Sequence, residues 1–447
     1  EEELPEAGRG RVVGDLVRLV GRQRRQRGVR EGASDLARRQ LDGQTVRSGS
    51  RAEQRGRRQR AGAETDGASP GRTHVALTPL VLGSLQKKGV EVVIETGAGA
   101  EAGYPDSEYT DKGASVVGSR ADVFAKADII LQVRAAGSDP ERAASDAALL
   151  GAGKTVVAFC DPLGEPKAAE AFAASGATLL SMELMPRITR AQSMDSLSSM
   201  ATIAGYKAVL LAASHLPKMF PMMMTAAGTI KPAKVFIVGA GVAGLQAISS
   251  AKRLGAVVQA YDVRPAVKEQ IESLGGKFVE MDLETEGTED AGGYAKDQGE
   301  DFIRRQRELM TRVVAENDVV ITTAAIPGKK SPVLVTEAMV QGMQPGSVIV
   351  DLAAERGGNC ELTKGGETVV AHDVTILGPL NIPSEIPYHA SQMYSKNITT
   401  FLLHLIDKEG NFTLDTDDEI TAGTLVTRDG KVVHERVAEL LGAGSGA

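Results

Sequence analysis

Two stretches of this chain carry residue types whose spacing could do chemistry. The first is Gly239-Ala-Gly241-Val242-Ala243-Gly244, a G-x-G-x-x-G string. Behind a strand and at the start of a helix, such a string binds the pyrophosphate of a dinucleotide. Its first glycine permits a tight turn, the second lets the backbone approach the phosphates, and the third lets helix and strand pack closely, with the helix N-terminus facing the anion. The apolar run "AKVFIVG" and the following "VAGLQAISSAKRLG" supply that context. Asp262 ends the next apolar run, 18 residues past Gly244, where a carboxylate accepts hydrogen bonds from the adenosine ribose. It would repel a 2′-phosphate by about 4 kcal/mol at ~4 Å and a dielectric near 20, before relaxation. With Val263 and Arg264 beside it, the expectation is NAD(H) over NADP(H), Arg264 softening the contrast.

The second stretch is residues 186–198, P-R-I-T-R-A-Q-S-M-D-S-L-S. A solvated linker also uses such types. Here Arg187, Gln192, Asp195 and Ser198 are the main polar constellation left, because the acid/base inventory is nearly empty. None of the six histidines (His74, His215, His372, His389, His404, His434) sits in a motif with a proton-transfer partner. His215, at a helix end before Pro217, reads as structural. No G-x-S-x-G or H-E-x-x-H pattern occurs. Cys160 and Cys360 are too few for a disulfide framework or a zinc site, so no metal is expected. "MFPMMMT" (219–225) reads as core or interface filler. "GTEDAGGYAKDQG" (287–299) reads either as a solvated loop or as a flap whose Tyr294 closes over bound nucleotide.

Strand and helix patterns alternate around these stretches. From Arg72 the apolar runs at 90–95, 127–133, 154–160 and 177–184 alternate with helical segments, which predicts a parallel sheet covered on both faces. A long helix, "SLSSMATIAGYKAVLLAASHL", leads away from it. A second alternation begins at Lys234 with strands "AKVFIVG", "AVVQAYDVR", "KFVEMD", "DVVITTAA", "SVIVDLA" and "VTILGP". "SQMYSKNITTFLLHLIDKEG" has helical apolar spacing and is expected to return to the first domain. The fold class is therefore α/β: two Rossmann-like, doubly wound parallel-sheet domains with a cleft between them. The boundaries read as 71–200 with 380–447 for the N-terminal-type domain and 201–379 for the NAD(H)-binding Rossmann domain.

Residues 1–60 differ from the rest. They hold 16 Arg, no Lys and nine acids, a charge of +7 that leaves −14 on the remainder of a chain whose net charge is −7. With few apolar residues and no sustained period, residues 1–70 are expected to be a disordered or non-native extension with one possible helix, Val12 to Val20. A basic arm for an anionic surface is the other reading. The net charge argues against nucleic acid. No apolar window is expected to reach the length that crosses a bilayer, and no signal-peptide pattern is seen.

Taken together, "RITRAQSMDSLSSMATIAGYKAVL", "VFIVGAGVAGLQA", "GYAKD" and "GSVIVDLAAERGGNCE" resemble the NAD(H)-binding component of the proton-translocating NAD(P) transhydrogenase family, from about Arg72 to about residue 409. Alanine dehydrogenase is a relative of that family. The resemblance implies NAD(H) bound by this chain and NADP(H) on a partner component, with direct hydride transfer between them. It also implies a homodimer, membrane-spanning and NADP(H)-binding partner subunits, and a cytoplasmic place peripheral to the inner membrane. Hydride passing between two nicotinamide rings needs no proton-transfer residue, which fits the empty inventory. By the resemblance, Gln192 contacts the ring edge, Asp195 holds Gln192 or the nicotinamide ribose, Arg187 holds the loop and the nicotinamide side, Ser198 completes the set, and Tyr294 lies on a mobile loop. The chain departs from the family in lacking an apolar strand before "HVALTP" and in carrying His74 where Arg is usual, so the first sheet is expected to miss a strand. The alternatives are an alanine-dehydrogenase-like soluble enzyme and a non-catalytic NAD-binding regulatory protein.

Overall fold

The computed structural model describes residues 12–14, 74–280, 300–326 and 328–444. These belong to one compact unit; residues 22–70 lie outside the described residues. Tyr294 also lies outside them.

Valine- and isoleucine-rich runs too short for helices become strands, because branched side chains pack well on a pleat buried on both faces. Among the described residues they form an eight-stranded sheet, a seven-stranded sheet and a two-stranded hairpin. In the first sheet the spatial order is Lys431–Val432, Leu425–Arg428, Thr178–Ser181, Thr155–Phe159, Ile129–Arg134, Val12–Gly14, Val92–Glu95, Ser115–Val117. The slot expected to lack a strand is filled: Val12–Gly14 runs parallel between its neighbours, with Val12 opposite both Val92 and Ile129. It is a strand where a helix over Val12–Val20 was expected. Two flanking ladders that need backbone partners outweigh the weak local preference for a helix. Leu425–Arg428 and Lys431–Val432 add an antiparallel edge that the alternating pattern did not foretell. The Pro387–His404 helix lies in the core of this sheet through Ala390, Tyr394, Ile398, Phe401 and Leu402.

The second sheet is ordered Lys277–Phe278, Val257–Tyr261, Lys234–Val238, Val319–Thr322, Val348–Asp351, Val374–Leu377, Thr368–Ala371. All pairs are parallel except the last, an antiparallel edge. The strand order reverses between Lys234–Val238 and Val319–Thr322. Its two faces carry separate cores, one around Val235, Ile237 and Ile321, the other around Phe236, Val320 and Ile349. Each fully buried side chain of this kind stabilises by about 1.5–3 kcal/mol.

The Ser196–His215 helix is, by length and composition, apolar enough to cross a membrane, contrary to the expectation that no segment would be. It serves two cores: Met200 and Ile203 enter the first, Ala208, Val209 and Ala212 the second. The methionine cluster is not core filler. Met219, Met222, Met223 and Met224 are exposed on and beside the hairpin Met223–Thr225/Gly228–Ile230.

Candidate functional site

Residues from the carboxyl ends of both sheets meet. Arg134 ends one first-sheet strand and Asp161 follows the next; Glu355 and Arg356 follow Val348–Asp351 in the second sheet. Arg134 Nη2 lies 3.6 Å from Glu355, Arg356 pairs with Asp161, and Lys207 reaches Glu385 at 3.0 Å. Gly328, at φ +72°, sits against Leu163: a Cβ there would lie 2.7 Å from the leucine Cβ. Half-exposed ion pairs add little stability, but these fix how the two sheet edges meet. Open α/β sheets bind ligands outside their carboxyl strand ends, where strand order reverses.

The glycine string lies at that reversal. Gly239 takes φ +96°, a conformation open to glycine. Its N–H donates to the Tyr261 carbonyl at 2.8 Å, and Thr323 Oγ1 donates to the Gly239 carbonyl at 3.0 Å. The helix Val242–Arg253 starts at once, with Gly241 before it and no side-chain cap. A Cβ on Gly244 would lie 2.9 Å from the Gly239 carbonyl carbon and closer still to its oxygen. A Cβ on Gly241 would meet nothing within 4 Å among the described residues, so these leave the space over the turn clear. Val242 is exposed and Ala243 half-buried.

Asp262 follows Val257–Tyr261 and is buried. Its Oδ2 accepts from Ala240 N at 2.7 Å and from Arg264 Nη2 at 2.9 Å. Its Oδ1 accepts from Arg264 N at 2.9 Å and Nε at 2.8 Å. A carboxylate has about four acceptor sites, and these four bonds use them. Val263 is half-buried beside it. Burial first, then the charge of Asp262, push the Tyr261 phenol up to about 12 against a hydrogen bond with Gln306 that lowers it.

The loop after Thr178–Ser181 forms the 3-10 turn Thr189–Met194. Ala191 and Met194 are buried in the first core, while Arg187 and Gln192 are exposed. Asp195 caps the Ser196–His215 helix: its Oδ1 accepts from Ser198 N at 2.9 Å and its Oδ2 from Ser198 Oγ at 2.6 Å. The structure thus pairs Asp195 with Ser198 and not with the Gln192 side chain. Orphan amides at a helix start compete strongly for a carboxylate.

Several contributors were not singled out in the sequence. Gly205, in mid-helix, packs closely on the glycine motif: a Cβ there would lie 2.8 Å from the Ala243 carbonyl carbon and 3.0 Å from its Cα. From Asp195 to Gly205 the helix rises about 15 Å, which separates the polar loop from the glycine turn. A mid-helix glycine in an alanine-rich helix was the readable signal. Asp351, fully buried, accepts from Thr322 Oγ1, Ala353 N, Asn359 N, Cys360 N and Thr363 Oγ1 at 2.7–3.0 Å. Asn359 then holds the loop after Val319–Thr322 through Ala324 N, Ala324 O and Pro332 O. Glu183 accepts from Ser181 Oγ at 2.6 Å and from the amides of Cys160 and Asp161 at 2.8 Å. Burial raises its pKa, and these bonds offset that only in part.

His74 is buried near Arg134, and its Nε2 has no hydrogen-bond partner among the described residues. Burial lowers its pKa, the charge of Arg134 adds to this, and a bond to the Pro383 backbone opposes it.

Comparisons with known proteins bear on this arrangement. Residues 68–204 match the family model "Alanine dehydrogenase/PNT, N-terminal domain" and residues 208–435 match its C-terminal counterpart. A Rhodospirillum rubrum protein, named as the first of the parts that make up NAD(P) transhydrogenase subunit alpha, is 47% identical over 367 residues, 82% of this chain and 95% of that protein. The chain belongs to the NAD(P) transhydrogenase alpha-subunit family. The family match runs to residue 435, beyond the 409 where the sequence likeness was read to end. A crystal structure of transhydrogenase from Sinorhizobium meliloti superposes with TM-score 0.72 at 44% identity, covering 82% of this chain and 98% of that one. An L-alanine dehydrogenase structure superposes with TM-score 0.67 at 25% identity, covering 83% and 96%. Transhydrogenase family members are thus more similar in sequence than this alanine dehydrogenase, while both share the Rossmann-like fold.

Proposed function

We propose that this chain binds NAD(H) and exchanges a hydride directly with NADP(H) held by a partner component, as an oxidoreductase of the transhydrogenase type. The single observation that carries the binding half is the open, uncapped glycine turn at the strand reversal, with Asp262 at the next strand end. The fit is chemical as well as spatial. Backbone at Gly241, Val242 and Ala243 faces the pyrophosphate, with the dipole of a 12-residue helix behind it. Asp262 takes the adenosine ribose, flanked by Val263 and Arg264. Because the Arg264 guanidinium fills the carboxylate, the ribose hydroxyls exchange with it on binding.

At the other end, Arg187, Gln192, Asp195 and Ser198 hold the nicotinamide and its ribose. Asp195, fixed by the helix N-terminus and Ser198, presents a stationary negative edge. Gln192, exposed, aligns the ring and leaves one face open to the partner. When bound, NADH supplies the hydride; NADP⁺ accepts it, giving NAD⁺ and NADPH with no proton gained or lost. The chain therefore needs alignment and no acid/base group, and a misplacement of about 1 Å can cost on the order of 10²-fold in rate. The partner subunits, coupling to proton movement, a homodimer, and a cytoplasmic position peripheral to the inner membrane belong to the same reading. So do the domain limits given above and a closing role for Tyr294.

The test is Gln192→Asn with a purified NADP(H)-binding component. Hydride exchange should slow at least about 10-fold while NADH affinity stays within about 3-fold. Equal loss of both would mean that the loop only binds. No exchange by the parent chain, with NADH bound, would leave a regulator in place of an enzyme.

A further inference from the structure

We infer that Asn397 and the Arg190–Asp418 ion pair are positioning residues, a brace from the C-terminal segment that holds Gln192 in place; this rests on the reading of that loop as the nicotinamide end. The turn Thr189–Met194 is a six-residue 3-10 helix, a conformation with poor hydrogen-bond geometry that is rarely sustained alone. It also carries its key side chain exposed. Ala191 and Met194 seat it on the core from below. Two anchors flank Gln192 on either side, at positions 190 and 193.

On the near side, Arg190 Nη2 donates to Asp418 Oδ1 at 3.0 Å and to Glu419 Oε1 at 3.2 Å. Asp418 is itself held fast. Its Oδ2 accepts from His404 Nε2 at 2.9 Å, Thr421 N at 3.0 Å and Ile420 N at 3.1 Å, capping the Glu419–Thr424 helix. Burial works against its ionisation, but the bonds from His404, Thr421 and Arg190 together hold the carboxyl below the usual range. On the far side, Asn397 Nδ2 donates to the Ser193 carbonyl at 3.0 Å; Asn397 is 6% exposed, so the bond is shielded from water. A Cβ on Gly423 would lie 3.6 Å from both Leu184 O and Pro186 Cδ, so the short helix also abuts the start of the loop.

The anchors contact neither the glycine motif nor Asp262, so their loss should not weaken the grip on the adenosine and pyrophosphate. Arg190 is 58% exposed, and such a pair stabilises a fold little. Its effect is geometric. It limits the excursions of a residue whose placement sets the rate.

The experiment uses the full chain with Arg190→Gln, Arg190→Lys, Asn397→Ala and Gln192→Asn. Backbone amide exchange over residues 189–195, NADH affinity by fluorescence titration, and hydride exchange with the NADP(H)-binding component are each measured. Arg190→Gln should loosen the loop amides, slow hydride exchange about 10-fold and leave NADH affinity within about 3-fold, with most of the rate restored in Arg190→Lys. Asn397→Ala should be slower still, toward 10²-fold. Unchanged amide exchange in Arg190→Gln, or an unchanged rate beside a slowed Gln192→Asn, would overturn the brace alone. A loss of rate and NADH affinity in proportion, without rescue by lysine, would also overturn it. A silent Gln192→Asn would overturn the reading of the loop and this role with it. Should Asn397→Ala fail to fold, the two Arg190 variants carry the decision.

Discussion

Replacing Gly205 by alanine tests the contact that registers the polar loop against the glycine turn. In a helix interior the change should stabilise by about 1 kcal/mol, because alanine restricts the unfolded chain and favours helix. At Gly205 the new methyl would sit 2.8 Å from the Ala243 carbonyl carbon, 3.0 Å from its Cα and nearer still to its oxygen. These are backbone atoms at the first turn of Val242–Arg253, so no rotamer change relieves them. The two helices must part by roughly 1 Å or stay overpacked, at a cost of about 1–3 kcal/mol. The contact lies at the severe end, so the net result is a loss of about 1–2 kcal/mol. The same shift moves the backbone of the glycine turn proposed to bind NAD(H), so NADH affinity should fall about 10-fold or more, about 1.4 kcal/mol. Gly83→Ala is the control. That glycine lies in Leu82–Lys87, where a Cβ would meet nothing within 4 Å among the described residues, and its replacement should gain about 0.5–1 kcal/mol. Denaturant unfolding and NADH titration of both variants give the comparison. A Gly205→Ala chain as stable as the parent, with unchanged affinity, would refute the claim that this backbone approach sets the site.

Two further outcomes follow from the site. His74 and His434 both have pKa values lowered from 6.5, mainly by burial, so the folded chain keeps them neutral where the unfolded chain binds protons. Stability should therefore be full above about pH 6.5 and fall as the pH drops below it; thermal melts from pH 7.5 to 5.5 should show this, with a shallower fall in His74→Gln, and a flat profile in the parent would contradict it. Asp262→Ser removes the charge that opposes a 2′-phosphate and frees Arg264 to meet one, so NADPH affinity relative to NADH should rise at least about 10-fold in paired titrations, whereas an unchanged ratio would take cofactor choice away from Asp262.

Much of the second sheet was legible because its strands are continuous Val/Ile runs, as in "KVFIV" and "VVIT", bounded by glycines and helices. The positions of Gly239 and Asp262 at strand ends were readable for the same reason. The antiparallel edge Thr368–Ala371 was missed because it alternates weakly between two turns, and Lys277–Phe278 proved shorter than its apolar run suggested. Val12–Gly14 was unreadable: three residues in an arginine-rich context carry no signal, and only the two ladders beside them give them a strand. Asp195 was picked for its charge, yet its position before "SLSSM" also marks a helix cap, and the structure uses it as one.

The sequence by itself determined what is local. It set the order of strands and helices, the glycine turn and the carboxylate that follows it, because these depend on neighbours within a few residues. Tertiary structure decided what braces the turn around Gln192 and how the two sheet edges meet. Asn397 meets Ser193 across 204 positions, Arg190 meets Asp418 across 228, and Arg356 meets Asp161 across 195. No period or propensity encodes such pairings. They exist because two sheets bring their strand ends together and the C-terminal helices fold back onto the first, placing side chains at hydrogen-bond distance that the chain holds far apart.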